Sequence, residues 1–251
     1  MKQNMSDFTI SLAGIPIGIS PLTQKVRRYL SEYITSEPPL FTIVTTEEDI
    51  ERERAYADKT HADEGIVAGQ WNRGYLEKLS LLRNIANKMV EYDVILFHGA
   101  AVAVNGKCYL FTAPSGTGKT THSRLWLERL PQAYILNGDK PFLKVTEEGN
   151  VLVCGVPWRG KEGMGRNEIL PLEAICVLER SPENWIEPAE PQDVISKLIR
   201  QIHVPDGLTA SVKVMQLLDR ICRKVRLYRL GCNMEPEAAD VSIGAMLCEN
   251  D

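Results

Sequence analysis

Residues 111–123, FTAPSGTGKTTHS, constrain the fold of this chain more than any other segment. The apolar run KCYLF leads into them, Gly116 and Gly118 interrupt them, and a helix-like stretch follows Lys119. A glycine-rich turn between a strand and a helix lets backbone N–H groups point inward, and the helix N-terminus adds its dipole. The pattern therefore predicts an anion-binding turn between a β-strand and an α-helix, formed by Ser115, Gly116, Thr117 and Gly118.

The residues that follow this turn indicate a nucleotide as the anion. A lysine at the start of the helix can reach the outer phosphates, and an adjacent Ser or Thr hydroxyl can bind Mg²⁺. We therefore expect a nucleoside triphosphate and Mg²⁺ as cofactors, with Lys119, Thr120 and Thr121 at the nucleotide and Thr120 at the metal. We take the nucleotide to be ATP, although no base-reading motif distinguishes adenine from guanine. Ala113 replaces the glycine that usually opens such a loop, which is compatible with bound phosphate if its φ angle is negative. The alternative is a glycine-rich turn that holds no ligand.

Asp139 and His98 are candidate catalytic residues because each follows an apolar run. A kinase needs a carboxylate that orients the metal ion or accepts the proton of the attacking hydroxyl. Asp139 follows AYILN, a strand that we expect beside the loop strand, but Asn137-Gly138-Asp139 is also typical of a simple turn. His98 follows VILF, where it is either a polar group of the site or a histidine satisfied at a strand end.

A glycine-rich stretch further along the chain, WRGKEGMGRNE, supplies additional cations. Phosphoryl transfer benefits from positive charge near the equatorial oxygens of the transferred group. Arg159, Lys161 and Arg166 are therefore candidates for contacts with phosphate or substrate. The alternative is a solvated surface loop.

These motifs together resemble the catalytic core of the HPr kinase/phosphorylase family. The resemblance rests on HGAAVAVNGKCYLFTAPSGTGKTTHSRLW, on the following ILNGDKPFL, and on the Pro157-Trp158 and Gly160-Lys161 pairs, and it covers about residues 98–178. That family shares its fold with ATP-dependent phosphoenolpyruvate carboxykinase, whose loop also reads S-G-T-G-K-T-T. More loosely, nearly the whole chain is similar to kinase-like proteins found with modified-peptide gene cassettes.

The resemblance implies roles for the candidate residues. His98 becomes an active-site residue near Asp139, Asp139 becomes the base or the metal ligand, and both act on an acceptor serine beside Lys119. Two positions differ from the family. HPr kinases carry adjacent aspartates, whereas this chain has Gly138-Asp139-Lys140, so the role of Asp139 stays open. They also carry a glutamate where this chain has Thr121, which argues against a reverse, phosphorolytic activity.

The function expected from these features is ATP-dependent, Mg-assisted phosphoryl transfer to a hydroxyl, a serine of a protein or peptide. One alternative is a nucleotide-binding module without catalysis, which Ala113 and the missing second aspartate favour. Another is a small-molecule kinase or carboxykinase-like enzyme with a small hydroxylated substrate, although the chain is short for the substrate half of a carboxykinase. HPr kinases assemble as oligomers, so a homo-oligomer is one assembly that the resemblance implies.

The fold class expected is α/β, a mixed β-sheet flanked by helices, of the P-loop kinase type shared by HPr kinase and phosphoenolpyruvate carboxykinase. A change of composition near residue 92 divides the chain into an N-terminal α/β portion, 1–91, packed on a P-loop kinase-like core, 92–251. In the first portion, the patterns predict a hairpin at 8–19, a helix at 22–34, a strand at 41–44, an irregular segment at 58–69 and a helix at 73–91.

In the second portion, the same reasoning predicts strands in VILF, AAVAV, KCYLF, AYILN, PFLKV, VLVCGV, AICVLE and VRLYRL. It predicts helices in THSRLWLERL, DVISKLIRQI, SVKVMQLLDRICRKV and EPEAADVSIGAML. The dipeptide Asn105-Gly106 predicts a tight hairpin between AAVAV and KCYLF.

Composition and charge limit the classes of partner. The formal net charge of −4 gives no electrostatic reason to expect nucleic acid or an anionic membrane as a partner. The six cysteines form no C-x-x-C pair, and those inside apolar runs are expected to be small buried hydrophobes rather than zinc ligands or disulfides. The apolar start of the chain alternates with a period of two, unlike a signal peptide, so a cytoplasmic location is expected.

Overall fold

The computed structural model describes residues 7–63 and 71–247. Contacts between Cα atoms divide the chain into two compact units, Met1–Lys88 and Met89–Asp251. The domain division expected from composition, with a boundary at residue 92 and the first portion packed on the second, stays a prediction.

The first unit contains a four-stranded sheet in the order β3-β1-β2-β4. Strands β1 (Phe8–Leu12) and β2 (Ile15–Ser20) form an antiparallel hairpin, β3 (Ile34–Thr35) pairs with β1, and β4 (Phe41–Val44) runs parallel to β2. Ala13 and Gly14 both have positive φ, 55° and 74°, as the tight turn requires. The predicted hairpin and the predicted strand at 41–44 are confirmed.

Three helices accompany this sheet: α1 (Gln24–Tyr29), α2 (Glu47–Asp63) and α3 (Arg73–Met89). The helix predicted at 22–34 is shorter, because a 3-10 turn and β3 follow α1. The irregular segment predicted at 58–69 is wrong for residues 58–63, which continue α2, whereas 64–69 lie outside the described residues. The good helix formers Lys59 and Ala62 favour this extension of the helix.

The second unit contains a mixed sheet of nine strands within the described residues. The strands are β5 (Val94–Leu96), β6 (Ala100–Val104), β7 (Lys107–Thr112), β8 (Tyr134–Asn137), β9 (Phe142–Val145), β10 (Val151–Cys154), β11 (Ile169–Arg180), β12 (Trp185–Pro188) and β13 (Arg226–Cys232). Their order is β5-β9-β10-β11-β7-β6-β8, with β13 beside β11 and β12 beside β13. Strand β11 runs parallel to both β7 and β13, and the other pairs are antiparallel.

Helices cover both faces of this sheet. They are α4 (Lys119–Arg129), α5 (Pro191–Ile199), α6 (Leu208–Lys224) and α7 (Glu237–Leu247). Along β7, Cys108 and Leu110 lie in the core that includes residues of α5 and α6, whereas Tyr109 and Phe111 lie in the core that includes residues of α4 and α7. The chain is therefore an α/β protein with a mixed sheet flanked by helices, as predicted.

The predicted elements of this unit are present, with three differences. Helix α4 begins at Lys119, two positions before the predicted stretch, and β12 was not predicted because its polar sequence WIEP lacks a strand pattern. The strand AYILN was expected beside the loop strand, and this is wrong. The Asn105-Gly106 hairpin inserts β6 between them, so that β7 pairs with β6 and β8 pairs with the other edge of β6.

The cysteines of the apolar runs are small buried side chains. Cys108, Cys154 and Cys176, the three in apolar runs, are buried as predicted.

Within residues 7–63 and 71–247, every helix is too short or too polar to cross a lipid bilayer.

Candidate functional site

The loop between β7 and α4, residues 113–118, is called the glycine loop below. Gly116 and Gly118 have φ angles of 76° and 125°, in the left-handed region that favours glycine. Ala113 is buried and is not among the described residues with positive φ. Alanine therefore occupies the position at which such loops usually have glycine without the strain of a positive φ.

The N-terminus of α4 faces the end of the glycine loop. The first backbone bond of the helix runs from His122 N to Gly118 O at 2.9 Å, so the amide groups of residues 119–121 precede the first intrahelical bond. The first turn contains no acidic residue that would neutralise the helix dipole. Thr120 is half-buried and Thr121 is exposed. This helix end is therefore available to a negatively charged group.

Lys119 lies against the glycine loop. Its Nζ donates a hydrogen bond to Ala113 O at 2.7 Å and lies 3.3 Å from Pro114 O. Burial lowers the pKa of Lys119, and the positive charge of Lys140 lowers it further, whereas the carboxylate of Asp139 raises it. The ammonium of Lys119 is therefore within electrostatic range of the turn that follows β8.

That turn, residues 137–140, is called the Asp139 turn. Asn137 is fully buried, and its Oδ1 accepts hydrogen bonds from the backbone N–H groups of Asp139 at 3.0 Å and Lys140 at 2.8 Å. Its Nδ2 donates to Val156 O at 3.0 Å. The turn that the residue types indicate is thus present, and the same hydrogen bonds orient the carboxylate of Asp139. The two alternatives left open by the sequence do not exclude each other.

His98 contacts both Asp139 and the end of α5. Its backbone N–H donates to Gln201 O at 2.7 Å, and its Nδ1 lies 2.9 Å from Gln201 Oε1. Its Nε2 lies 3.5 Å from Asp139 Oδ1. Burial lowers the pKa of His98, and the cations of Lys119 and Lys140 lower it further, against opposite effects of Asp139 and Gln201.

Two hydrogen bonds connect the end of β7, His98 and the Asp139 turn. Thr112 Oγ1, at the end of β7, donates to His98 O at 2.9 Å, and Gly99 N donates to Asp139 O at 2.9 Å. A Cβ atom at Gly99 would lie 2.9 Å from Phe111 O. Glycine is therefore required where β6 begins, and the close approach brings His98 and Asp139 to the strand that carries the glycine loop.

A segment from 155 to 168 returns along β8 and supports the Asp139 turn. Gly138 N donates to Met164 O at 3.2 Å, and Arg166 N donates to Leu136 O at 3.0 Å. Gly160 has a φ of 73°, and a Cβ atom there would lie 2.9 Å from the Cβ of Asp139. Any larger residue at position 160 would displace the Asp139 carboxylate.

The three predicted cations of this segment differ in their surroundings. Arg166 stacks on the Tyr134 ring, 3.7 Å from its centroid, and forms an ion pair with Glu168 at 3.7 Å. Arg159 and Lys161 flank Gly160, and Arg159 is half-buried whereas Lys161 is exposed. Arg166 is therefore engaged with its own strand neighbours, and the other two lie beside the residue that contacts Asp139.

Three further residues touch the site that were not among the predicted ones. Lys140 Nζ lies 3.1 Å from Asp139 Oδ2, Gln201 holds His98, and Arg180 Nη2 donates to Gly116 O at 2.7 Å. Lys140 could have been found, because it follows Asp139 directly. Arg180 ends β11, the parallel neighbour of β7, so a correct strand order would have indicated it. Gln201 gives no local signal, since 103 positions separate it from His98.

The oxygen atoms of the site suit a magnesium ion that is shared with phosphate. The described residues contain no group of three or more His, Cys, Asp or Glu side chains that could hold a metal. The Thr120 hydroxyl and one carboxylate, Asp139, remain as candidate ligands. Mg²⁺ characteristically takes one or two protein oxygens together with water and substrate phosphates, so this sparse set fits that ion better than a full protein cage would.

Comparisons of the chain with known proteins yield matches among solved structures only. No family model and no curated protein matches the chain. Among the solved structures it matches is one titled "Structure of the Hpr(Ser) kinase/phosphatase from Coxiella burnetii", at 9% identity and a TM-score of 0.32. The match covers 61% of this chain and 96% of that chain. A similarity at this level carries no argument about function.

Proposed function

We propose that this chain is an ATP-dependent kinase of the P-loop, HPr-kinase-like type that phosphorylates a hydroxyl, a serine of a protein or peptide. The observation that carries the proposal is the convergence of Lys119, His98 and Asp139 at the end of β7. A glycine-rich turn alone would need no carboxylate within electrostatic range of its lysine, and here that carboxylate also contacts an oriented histidine.

In this proposal the glycine loop and α4 bind the nucleotide. Backbone N–H groups of residues 115–118 and the first turn of α4 donate to the phosphates, and Lys119 exchanges its contact with Ala113 O for the β- and γ-phosphates. The Thr120 hydroxyl and one oxygen of Asp139 would hold Mg²⁺, which when bound would neutralise part of the charge of the phosphates. Thr121 extends the nucleotide site on the first turn.

Asp139 and His98 face the acceptor hydroxyl. The acceptor oxygen forms a bond to the γ-phosphorus, the bond between that phosphorus and the β,γ-bridging oxygen breaks, and ADP leaves. The Asp139 carboxylate accepts the hydroxyl proton, and His98, oriented by Gln201, places Nε2 beside the same carboxylate. Arg159 and Lys161 lie beside Gly160, where their charges attract the transferred group or an acidic acceptor.

A nucleotide-binding module without catalysis is the second candidate, and one observation favours it. Both carboxylate oxygens of Asp139 have partners in the chain, Lys140 at 3.1 Å and His98 at 3.5 Å. Such a carboxylate could serve only to fix the turn, in which case ATP would be bound and not cleaved.

The experiment that separates these candidates follows label from ATP. Purified protein is incubated with Mg²⁺, γ-labelled ATP and a library of serine-containing peptides, and ADP release and labelled peptide are both measured. We expect transfer by the wild type and loss of transfer in Lys119→Ala and Asp139→Asn, whereas Lys224→Ala, an exposed lysine at the end of α6, keeps it.

The outcomes are distinct. Tight ATP binding by the wild type without label in any peptide would support the second candidate. Undiminished transfer by Lys119→Ala in a folded protein would contradict nucleotide binding at the glycine loop, and with it both candidates.

A further inference from the structure

Lys140 is a cation in the candidate site to which no role has been given so far. Its Nζ lies 3.1 Å from Asp139 Oδ2, and its side chain is 34% exposed. Its backbone N–H is held by the buried Asn137 side chain at 2.8 Å, so the direction in which residue 140 leaves the turn is fixed. The backbone from which the Lys140 side chain departs is therefore held by the hydrogen-bonded turn, and the ammonium is held by Asp139.

The charge of Lys140 acts on both other basic groups of the site. It lowers the pKa of Lys119, at the glycine loop, and the pKa of His98, on the opposite side of Asp139. Two ammonium groups, of Lys119 and Lys140, thus lie within electrostatic range of each other and of a single carboxylate. Like charges held together destabilise a fold unless an anion offsets them, and Asp139 supplies only one negative charge. Of these three groups two are positive and one is negative, with Lys119 on the glycine loop and Lys140 on Asp139.

An ion pair with Asp139 does not by itself account for this lysine. Pairs between partly exposed groups contribute little to stability, because water screens them and the side chains lose freedom. An ammonium group has three N–H donors, so Lys140 can keep its contact with Asp139 Oδ2 and still donate to another oxygen. The terminal phosphate of ATP has several oxygen atoms, and one of them can accept this additional hydrogen bond.

Resting on the proposed function, we propose that Lys140 is a catalytic residue whose ammonium binds an oxygen of the γ-phosphate of ATP and stabilises the charge of the transferred phosphoryl group. Lys140 gives up no proton in this step. The acceptor oxygen bonds to the γ-phosphorus, ADP departs with the bridging oxygen, and Asp139 takes the hydroxyl proton as before. The lysine supplies positive charge where the sequence lacks a second carboxylate to hold a second metal ion.

The test compares ATP with ADP, since only ATP has the γ-phosphate. Dissociation constants for both nucleotides are measured by calorimetry in EDTA for the wild type, Lys140→Met and Lys140→Arg, with Lys224→Met as the matched lysine control. We expect Lys140→Met to weaken ATP binding about 10-fold or more, the size of one charge-assisted hydrogen bond. ADP binding should change by less than about twofold, and Lys140→Arg should retain part of the ATP preference.

With Mg²⁺ and the peptide library, Lys140→Met should lower the rate constant of transfer by about 100-fold and raise KM for ATP by about 10-fold, in line with the weaker binding. Lys140→Gln serves as a second variant if Lys140→Met does not fold, as judged by thermal unfolding. Equal effects on ATP and ADP, or none, would overturn the proposal and leave Lys140 as a partner of Asp139 only.

The two proposals can fail separately. A selective loss of ATP affinity in Lys140→Met, in a wild type that transfers no phosphoryl group, would support γ-phosphate binding by Lys140 and contradict the kinase. Transfer by the wild type with unchanged ATP preference in Lys140→Met would do the reverse. A wild type that binds neither nucleotide would overturn both.

Discussion

The glycine loop and the Asp139 turn meet at one site, yet they are held in different ways. The glycine loop depends on backbone conformation, with positive φ at Gly116 and Gly118, and residues 114–116 are exposed. The Asp139 turn depends on one buried side chain, Asn137, which makes three hydrogen bonds. In the first region Thr117 N–H donates to Pro114 O at 3.3 Å, and the amide groups of residues 119–121 precede the first intrahelical bond of α4. The second region uses its polar groups to orient a carboxylate. Substitutions in the loop should therefore change affinity, and substitutions in the turn should change rate and stability.

The largest effect on the rate of phosphoryl transfer should come from Asp139→Asn. Asparagine keeps the shape but can neither accept the acceptor proton nor balance the nearby lysines, so we expect phosphoryl transfer to fall about 1,000-fold or more. ATP affinity in EDTA should stay within a few-fold of the wild type, because the glycine loop is intact. Transfer rates and calorimetric affinities measured on one preparation check both statements. A similar fall in transfer rate and in ATP affinity would contradict the distinction between the Asp139 turn and the glycine loop.

Acid should weaken the helix behind the glycine loop. His122 of α4 is buried beside Ser242 and Phe111, and burial lowers its pKa to about 4 from 6.5. In the unfolded chain it binds a proton near 6.5, so the folded state loses stability as the pH falls from 6.5 toward 4. That loss is about 3 kcal/mol. Urea unfolding at several pH values should show this loss in the free energy of unfolding. His122→Gln should remove this part of the pH dependence. An identical pH dependence in both proteins would contradict it.

Asn137→Ala should destabilise the second region. The substitution leaves two backbone N–H groups and Val156 O without their partner inside the protein, which costs about 2 kcal/mol in the free energy of unfolding. The transfer rate should fall as well, because Asp139 and Lys140 lose their fixed directions. Asn150→Ala, at an exposed turn, is the control. Stability measured by urea unfolding that matches the control would show that the buried amide does not hold the turn.

The smallest effect on stability should come from Gly118→Ala. The φ of 125° is strained for alanine, at a cost of about 1–2 kcal/mol, although a Cβ atom there meets no neighbour within 4 Å. ATP affinity should fall about 10-fold if the strain must be relieved by moving the loop. Gly244→Ala, in α7 with nothing within 4 Å of the new atom, should instead stabilise the protein slightly. Equal behaviour of the two variants would show that the loop backbone is not under constraint.

Local sequence patterns predicted much of this fold. They did not predict features that depend on contacts between distant segments of the chain. The strand before Ala113, the Asn105-Gly106 hairpin and the helix after Lys119 follow from a few adjacent residues, and each is present. The insertion of β6 between β7 and β8 does not, because strand order depends on pairing between segments far apart in sequence. For the same reason Gln201 gave no signal.

Side-chain roles within the site were predictable only in part. Lys119, His98 and Asp139 stand out because they end or begin regular elements. Asn137 looked like an ordinary turn residue, and its burial, which makes it a support for Asp139 and Lys140, is a property of the packed structure. Whether the predicted ligands of ATP and Mg²⁺ act as such stays a prediction for the experiments above.

The pairing of Arg124 with Glu162 makes one part of this site responsive to dissolved salt. The ion pair joins α4 to the segment that supports Asp139 through Gly160, and both side chains are about half exposed. Ions in solution screen such pairs, with a reach of about 10 Å at 0.1 M ionic strength. The backbone bonds that anchor Met164 and Arg166 to β8 are insensitive to this screening. The link between α4 and residues 155–168 should therefore weaken as ionic strength rises, while the Asp139 turn stays in place.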